Sequence, residues 1–130
     1  MERGIYQHPE RGRQLIRFDG FRDVTPTDFD AVIEYRKRLW IVFEVKMAGK
    51  DVPLGQRLAL ERLIQDAQRL KKHGLALIVE HETYDTREDI ILADCAVRSV
   101  YTSEETYWRP PDRRITAKEA ADAYIAYYGG

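Results

Sequence analysis

The sequence predicts an α/β domain: a mixed central β-sheet, built from an antiparallel hairpin and a parallel strand reached through a helical crossover, with helices flanking it. Three observations carry that reading. Two alternating apolar runs, residues 28–35 and 38–46, are separated by little more than Arg36-Lys37-Arg38, a common hairpin length. Residues 53–72 then place apolar side chains at helical spacing. Leu75-Ala76-Leu77-Ile78-Val79 follows as a short apolar run, which reads as a buried strand parallel to an earlier one. The predicted order is therefore strand, strand, helix, strand.

The elements can be justified in chain order. Residues 1–20 mix charges, and a short helix beginning near Pro9 is weakened by Gly12. Asp19-Gly20 and Thr25-Pro26-Thr27 are turn signals, so Phe21 to Val24 is a short strand or part of a loop. In the hairpin, Phe29, Ala31, Ile33 and Tyr35 share one face, and Leu39, Ile41, Phe43 and Val45 are the matching apolar set. Matching those faces fixes the parity of the register, because a slip of one residue turns every side chain over. Met47 to Val52 is a loop, and Pro53 opens a helix carried by Leu58, Ala59, Leu63, Ala67 and Leu70. Gly74 is expected to stop it, with Lys71, Lys72 and His73 in the last turn, where positive charge suits the dipole. Thr83 to Asp89 is polar and loop-like. Ile90 to Thr102 is strand-like, with Ala93, Cys95, Val97 and Tyr101 on one alternate face. After the break at Trp108 to Asp112, Thr116 caps a last helix through Tyr128, with Glu119 completing a capping box.

Composition bounds the function. The 130 residues fit one domain, 1–130, able to bury a real core. A formal charge of −1 argues against a strongly basic coat for nonspecific nucleic-acid binding. Local basic clusters remain as candidate phosphate contacts: Arg11, Arg13 and Arg17; Arg36 to Arg38; Arg69, Lys71 and Lys72; Arg109, Arg113 and Arg114. The lone Cys95 excludes an intrachain disulfide and a thiolate zinc site, so a reducing, cytoplasmic setting is expected. No apolar run of about 18 residues and no secretory apolar region is present, so no membrane partner is expected.

The chemistry concentrates on the hairpin. Glu44 and Lys46 are two apart at the end of an apolar strand and project from one face. With Tyr35 opposite Leu39, Asp30 falls opposite Glu44 and Asp28 opposite Lys46. Like charges directly opposite one another are unfavourable unless something compensates, and a divalent cation would. The hairpin is thus a candidate hard-metal site with a lysine beside it.

These residues carry a resemblance. Asp30, then Glu44-Val45-Lys46 at the end of the next strand, then Gln56 at the start of the following helix and a further strand at Leu75 to Val79, resemble the core of the PD-(D/E)XK nucleases. Residues 25–60 are similar to small phage-encoded and Holliday-junction-resolvase-like members, and the likeness spans about residues 25–81. It implies a restriction-endonuclease-like core, a Mg²⁺- or Mn²⁺-dependent DNA endonuclease, and DNA as partner. For a phage-encoded protein the compartment would be the cytoplasm of a bacterial host. Carried over residue by residue, it implies Asp30, Glu44 and the Val45 backbone carbonyl as metal ligands, Lys46 as the catalytic lysine and Gln56 as an auxiliary catalytic residue. Glu10, on the first helix, would add a ligand. Pro26 stands two before Asp28 and four before Asp30 instead of adjacent to the acid, which leaves both aspartates as candidate ligands.

Each type suits the task. Mg²⁺ held by one or two carboxylates neutralises an attacked phosphate and supplies a nucleophilic water. Lys46 stabilises the extra negative charge of the transition state, because the neighbouring carboxylates hold its proton on. Gln56 near the positive end of a helix dipole can orient water or phosphate. Arg11, Arg13, Lys50 and Arg57 are the candidate DNA contacts. Two copies related by a two-fold axis would let one site per chain cut both strands, with Ile90 to Tyr101 and Thr116 to Tyr128 as the expected homodimer contact. The alternative is a non-catalytic DNA- or protein-binding module that keeps a nuclease-like fold.

Overall fold

In the computed structural model Arg22 and residues 29–85 and 87–130 are described. Glu10, Arg11, Arg13, Asp28 and the expected N-terminal helix lie outside them. The strands are β1 (Ala31–Tyr35), β2 (Leu39–Met47), β3 (His73–His81) and β4 (Ala96–Thr102), and the helices are α1 (Leu54–Arg69) and α2 (Ala117–Tyr128). The sheet order is β1-β2-β3-β4, with β1 antiparallel to β2, β2 parallel to β3 and β4 antiparallel to β3. This is the mixed α/β sheet that the sequence predicts. No helix among the described residues is long and apolar enough to cross a membrane.

The hairpin has the expected register, Tyr35 opposite Leu39 through Ala31 opposite Phe43. Leu39, Ile41 and Phe43 bury one face of β2 against α2, together with Leu75, Leu77, Val79, Ala117, Ala121 and Tyr124. Val42 buries the other face against α1, with Leu60, Ile64, Ala76 and Tyr101. Phe29 departs from the expected alternation: it packs on the α1 face, whereas Ala31, Ile33 and Tyr35 pack towards α2. It precedes the strand, and the chain bends at Asp30 before the pleat begins.

Three further expectations are corrected. The helix does not run to Gly74. It ends at Arg69 and is closed by the Lys71 N–H to Gln68 O (2.9 Å) and the Lys72 N–H to Ala67 O (2.8 Å), with Lys71 at φ 61°. That is a Schellman cap with lysine at the left-handed position usually held by glycine. Gly74 lies inside β3, where a Cβ would meet Ile64 Cδ1 at 3.0 Å, so its role is to let α1 approach the sheet. The buried stripe of α1 is Leu60, Ile64 and Ala67, while Leu63 and Leu70 face solvent, Leu70 at 71% exposure. The stripe is set by fit over Gly74, since apolar residues cover more than one side of this helix.

The third correction is at β4. Val97 pairs with Val79 but Ser99 pairs with Ile78, so Arg98 is an extra residue, a β-bulge. The slip flips the faces: Val97 packs with α2 and Tyr101 with α1, not on one side. The outer edge of β4 carries bridges to Arg109 and Thr116, and α2 buries Ala117, Ala121 and Tyr124 against the sheet. The Thr116–Glu119 capping box is present in both directions, at 3.1 Å each way.

Candidate active site

The alternation of β2 puts Val42, Glu44 and Lys46 on the α1 side. Glu44 is only 3% exposed, a costly place for a carboxylate unless charge and hydrogen bonds compensate. The Lys46 ammonium lies 3.5 Å from Glu44 Oε1, with the lysine side chain 23% exposed. A half-open ammonium beside a buried carboxylate leaves part of its charge facing outward.

Asp30, the residue before β1, lies at the same end of the sheet. Extending the β1–β2 register by one places it opposite Glu44, and its Oδ2 accepts a hydrogen bond from the Val45 N–H at 2.7 Å. The N–H and C=O of one strand residue point to the same edge, so the Val45 carbonyl also faces the β1 side, next to Asp30. Asp30 is exposed, and one carboxylate oxygen is used by the Val45 N–H.

Gln56 reaches this place through the geometry of α1. Ile64 and Ala67 sit over Gly74, and Gln56 is eight residues before Ile64, about 12 Å of helix. About 13 Å along β3 from Gly74 is Ile78, the residue paired with Glu44. Gln56 therefore lies towards the end of the sheet that carries Glu44, and its Oε1 is buried with no hydrogen-bond partner among the described residues. Helix α1 starts without a side-chain cap and without an acid in its first turn.

One residue of the site was not read from the sequence. The bulge turns Arg98 towards the loop between β2 and α1: Nε donates to Glu80 Oε2 (2.9 Å), Nη1 to Lys50 O (2.6 Å) and Nη2 to Met47 O (3.3 Å). Glu80 pairs with Lys46 across β2 and β3, so Arg98 neutralises the acid beside the lysine and pins the loop leading to Gln56. An arginine in an apolar alternation gives no such signal, because the bulge depends on which strand it pairs with. Lys50 and Arg57, the described candidates for DNA contact, are exposed next to this loop.

The oxygen donors, two carboxylates and a strand carbonyl, suit a hard cation such as Mg²⁺ or Mn²⁺. Among the described residues no group of three or more His, Cys, Asp or Glu gathers as a metal site. A magnesium held by one or two carboxylates, with waters and substrate phosphate, needs no such group. A cleft of about 680 Å³ is lined by Glu80, His81, Asp89 and Arg114 and by neither Glu44 nor Lys46, and another of about 630 Å³ is lined by Asp30 with Phe43, Ala117 and Ala121 on the α2 side. No family model, curated protein or solved structure matches the chain.

Proposed function

We propose that this chain is a metal-dependent DNA endonuclease whose site is Asp30, Glu44, Lys46 and Gln56. The observation that carries the reading is the Asp30 carboxylate held 2.7 Å from the backbone N–H between Glu44 and Lys46, which brings two acids and a lysine to one end of the sheet. A cation held by Asp30, Glu44 and the Val45 carbonyl would neutralise the attacked phosphate and supply a nucleophilic water.

The chain's own groups have separable tasks. The Val45 N–H fixes the Asp30 carboxylate. Glu44 holds the Lys46 ammonium in place, and Lys46 stabilises negative charge developing on the phosphate oxygens, a preorganised electrostatic role. The Gln56 amide can bind a water or a phosphate oxygen at the uncapped end of α1. Arg98 is a positioning residue, acting through the loop of Met47 and Lys50. Cutting both strands of a duplex with one site per chain calls for two copies, which light scattering on the DNA complex would count.

Incubating the protein with supercoiled, linear and branched DNA in Mg²⁺, Mn²⁺ or EDTA tests the proposal. Cleavage in either metal and none in EDTA is the expected outcome. Absence of cleavage on all three substrates in both metals would leave a binding module with the same sheet.

A further inference from the structure

The end of the sheet opposite Glu44 gathers two basic segments that are far apart in sequence. The turn Arg36-Lys37-Arg38 closes the hairpin beside Leu39, and Leu39 pairs with His73, the residue after Lys71-Lys72. The His73 N–H donates to Arg38 O at 3.0 Å, so the two turns are hydrogen-bonded neighbours. Five cations, Arg36, Lys37, Arg38, Lys71 and Lys72, thus share one rim, and none forms an ion pair with a described residue. The nearby acids are engaged: Glu34 accepts from the Lys37 N–H at 2.6 Å, and Glu104 is bound by His73, Ser103 and Tyr124.

A second observation is independent of the charge count. Among the described residues, the non-glycine positions with positive φ are Arg36 (50°), Lys37 (60°) and Lys71 (61°). All three are basic and all three lie on this rim. Arg36 and Lys37 are the central residues of a turn closed by the Arg38 N–H to Tyr35 O (2.9 Å), with both φ values positive as in a type I′ turn, where Asn-Gly is the favoured pair. Lys71 occupies the position of a helix cap where glycine is favoured. Long cationic side chains therefore stand at three places where local backbone energetics favour small residues.

We propose that this rim binds the sugar–phosphate backbone of a nucleic acid, about 17 Å along β2 from Glu44. Spaced cations on turns match a chain of phosphates, which needs neither a groove nor a sheet edge, as a peptide would. The exposed large apolar side chains at this end are Leu70 and, through Tyr128 stacked on His73, Tyr127; two residues on separate elements are not the continuous apolar face with which an interfacial helix enters a bilayer. The inference stands on charge and backbone conformation and does not require that the protein cut.

The test uses the whole chain in EDTA, so that binding is read without cleavage. A double variant, Arg36→Asn with Lys37→Gly, installs the favoured turn, and Lys71→Gly installs the favoured cap. Both are expected to melt at the same or a higher temperature than the parent, which guards against simple misfolding. A fluorescent single-stranded 20-mer should bind the double variant at least about fivefold more weakly at low salt. The dependence of log affinity on log salt should become shallower by about 1.4, for two lost phosphate contacts at about 0.7 each. Unchanged affinity and salt slope in both variants would overturn the proposal. So would variants that lose binding to anionic vesicles or to polyglutamate while holding the 20-mer as the parent does.

Discussion

Lys46 is where the proposed mechanism is most exposed to test. Its ammonium is 3.5 Å from a carboxylate that is almost wholly buried, yet its own side chain is part-open. Lys46→Ala should lower single-turnover cleavage by about 10²–10³-fold, the usual effect of removing one preorganised electrostatic donor. Calorimetric Mn²⁺ binding should survive, since Lys46 is no ligand. Lys46→Arg should rescue poorly, because the guanidinium is larger and planar. If the alanine variant cleaves normally, Lys46 is only a structural partner of Glu44. Asp30→Asn should abolish cleavage and leave the melting temperature within a few degrees, because an amide oxygen still accepts from the Val45 N–H; a variant cleaving at the parent rate would remove Asp30 from the ligand set. These residues were legible because a strand has a period of two: the parity that buries Leu39, Ile41 and Phe43 also puts Glu44 and Lys46 on the other face. Arg98 was not legible, since a bulge is a property of two strands together.

At the scale of elements, misreadings arose where local signals competed with packing. Gly74 after three basic residues looks like a helix stop, but the chain leaves α1 through Lys71 and keeps glycine for the contact between helix and sheet. Gly74→Ala should therefore destabilise the fold by about 1–3 kcal/mol, the cost of overpacking, in a denaturant titration. A change near zero would mean that Ile64 yields without cost. The bulge makes a functional prediction. Arg98→Ala frees the loop at Met47 and Lys50, and cleavage should fall by about 10–100-fold, as for other supporting contacts around a metal site. Arg98→Lys should restore little, because an ammonium cannot serve one carboxylate and two carbonyls in this fork geometry. Full activity in Arg98→Ala would show that the loop holds its shape without it.

Across the whole molecule, the sheet separates two ends with different chemistry: the acid and lysine cluster at the exit of β2, and the basic rim at the hairpin turn. The rim end is tied together by Glu104, which takes hydrogen bonds from His73 (2.9 Å), Ser103 (2.5 Å) and Tyr124 (2.7 Å), joining β3, β4 and α2. Burial works to raise the Glu104 carboxyl, but these hydrogen bonds and the His73 charge outweigh it and hold it below its ordinary value. A lowered carboxylate contributes stability that is full above its unfolded pKa and is lost as pH falls through the folded value. The gap in melting temperature between the parent and Glu104→Gln should thus be widest near neutral pH and close below about pH 4. A gap independent of pH would mean that Glu104 acts by shape alone. The order of elements was readable because each segment's period agrees with its place in the sheet, whereas contacts such as His73 with Glu104 join residues whose sequence carries no shared pattern. The central claim, that Asp30, Glu44, Lys46 and Gln56 form one metal-dependent site that cuts DNA, is tested most directly by nicking of supercoiled DNA in Mn²⁺ by the parent and by Glu44→Gln, each with an EDTA control. Nicking by the parent in Mn²⁺, none in EDTA and none above background by Glu44→Gln is the expected result. Equal nicking by both proteins, or nicking that survives EDTA, would contradict it.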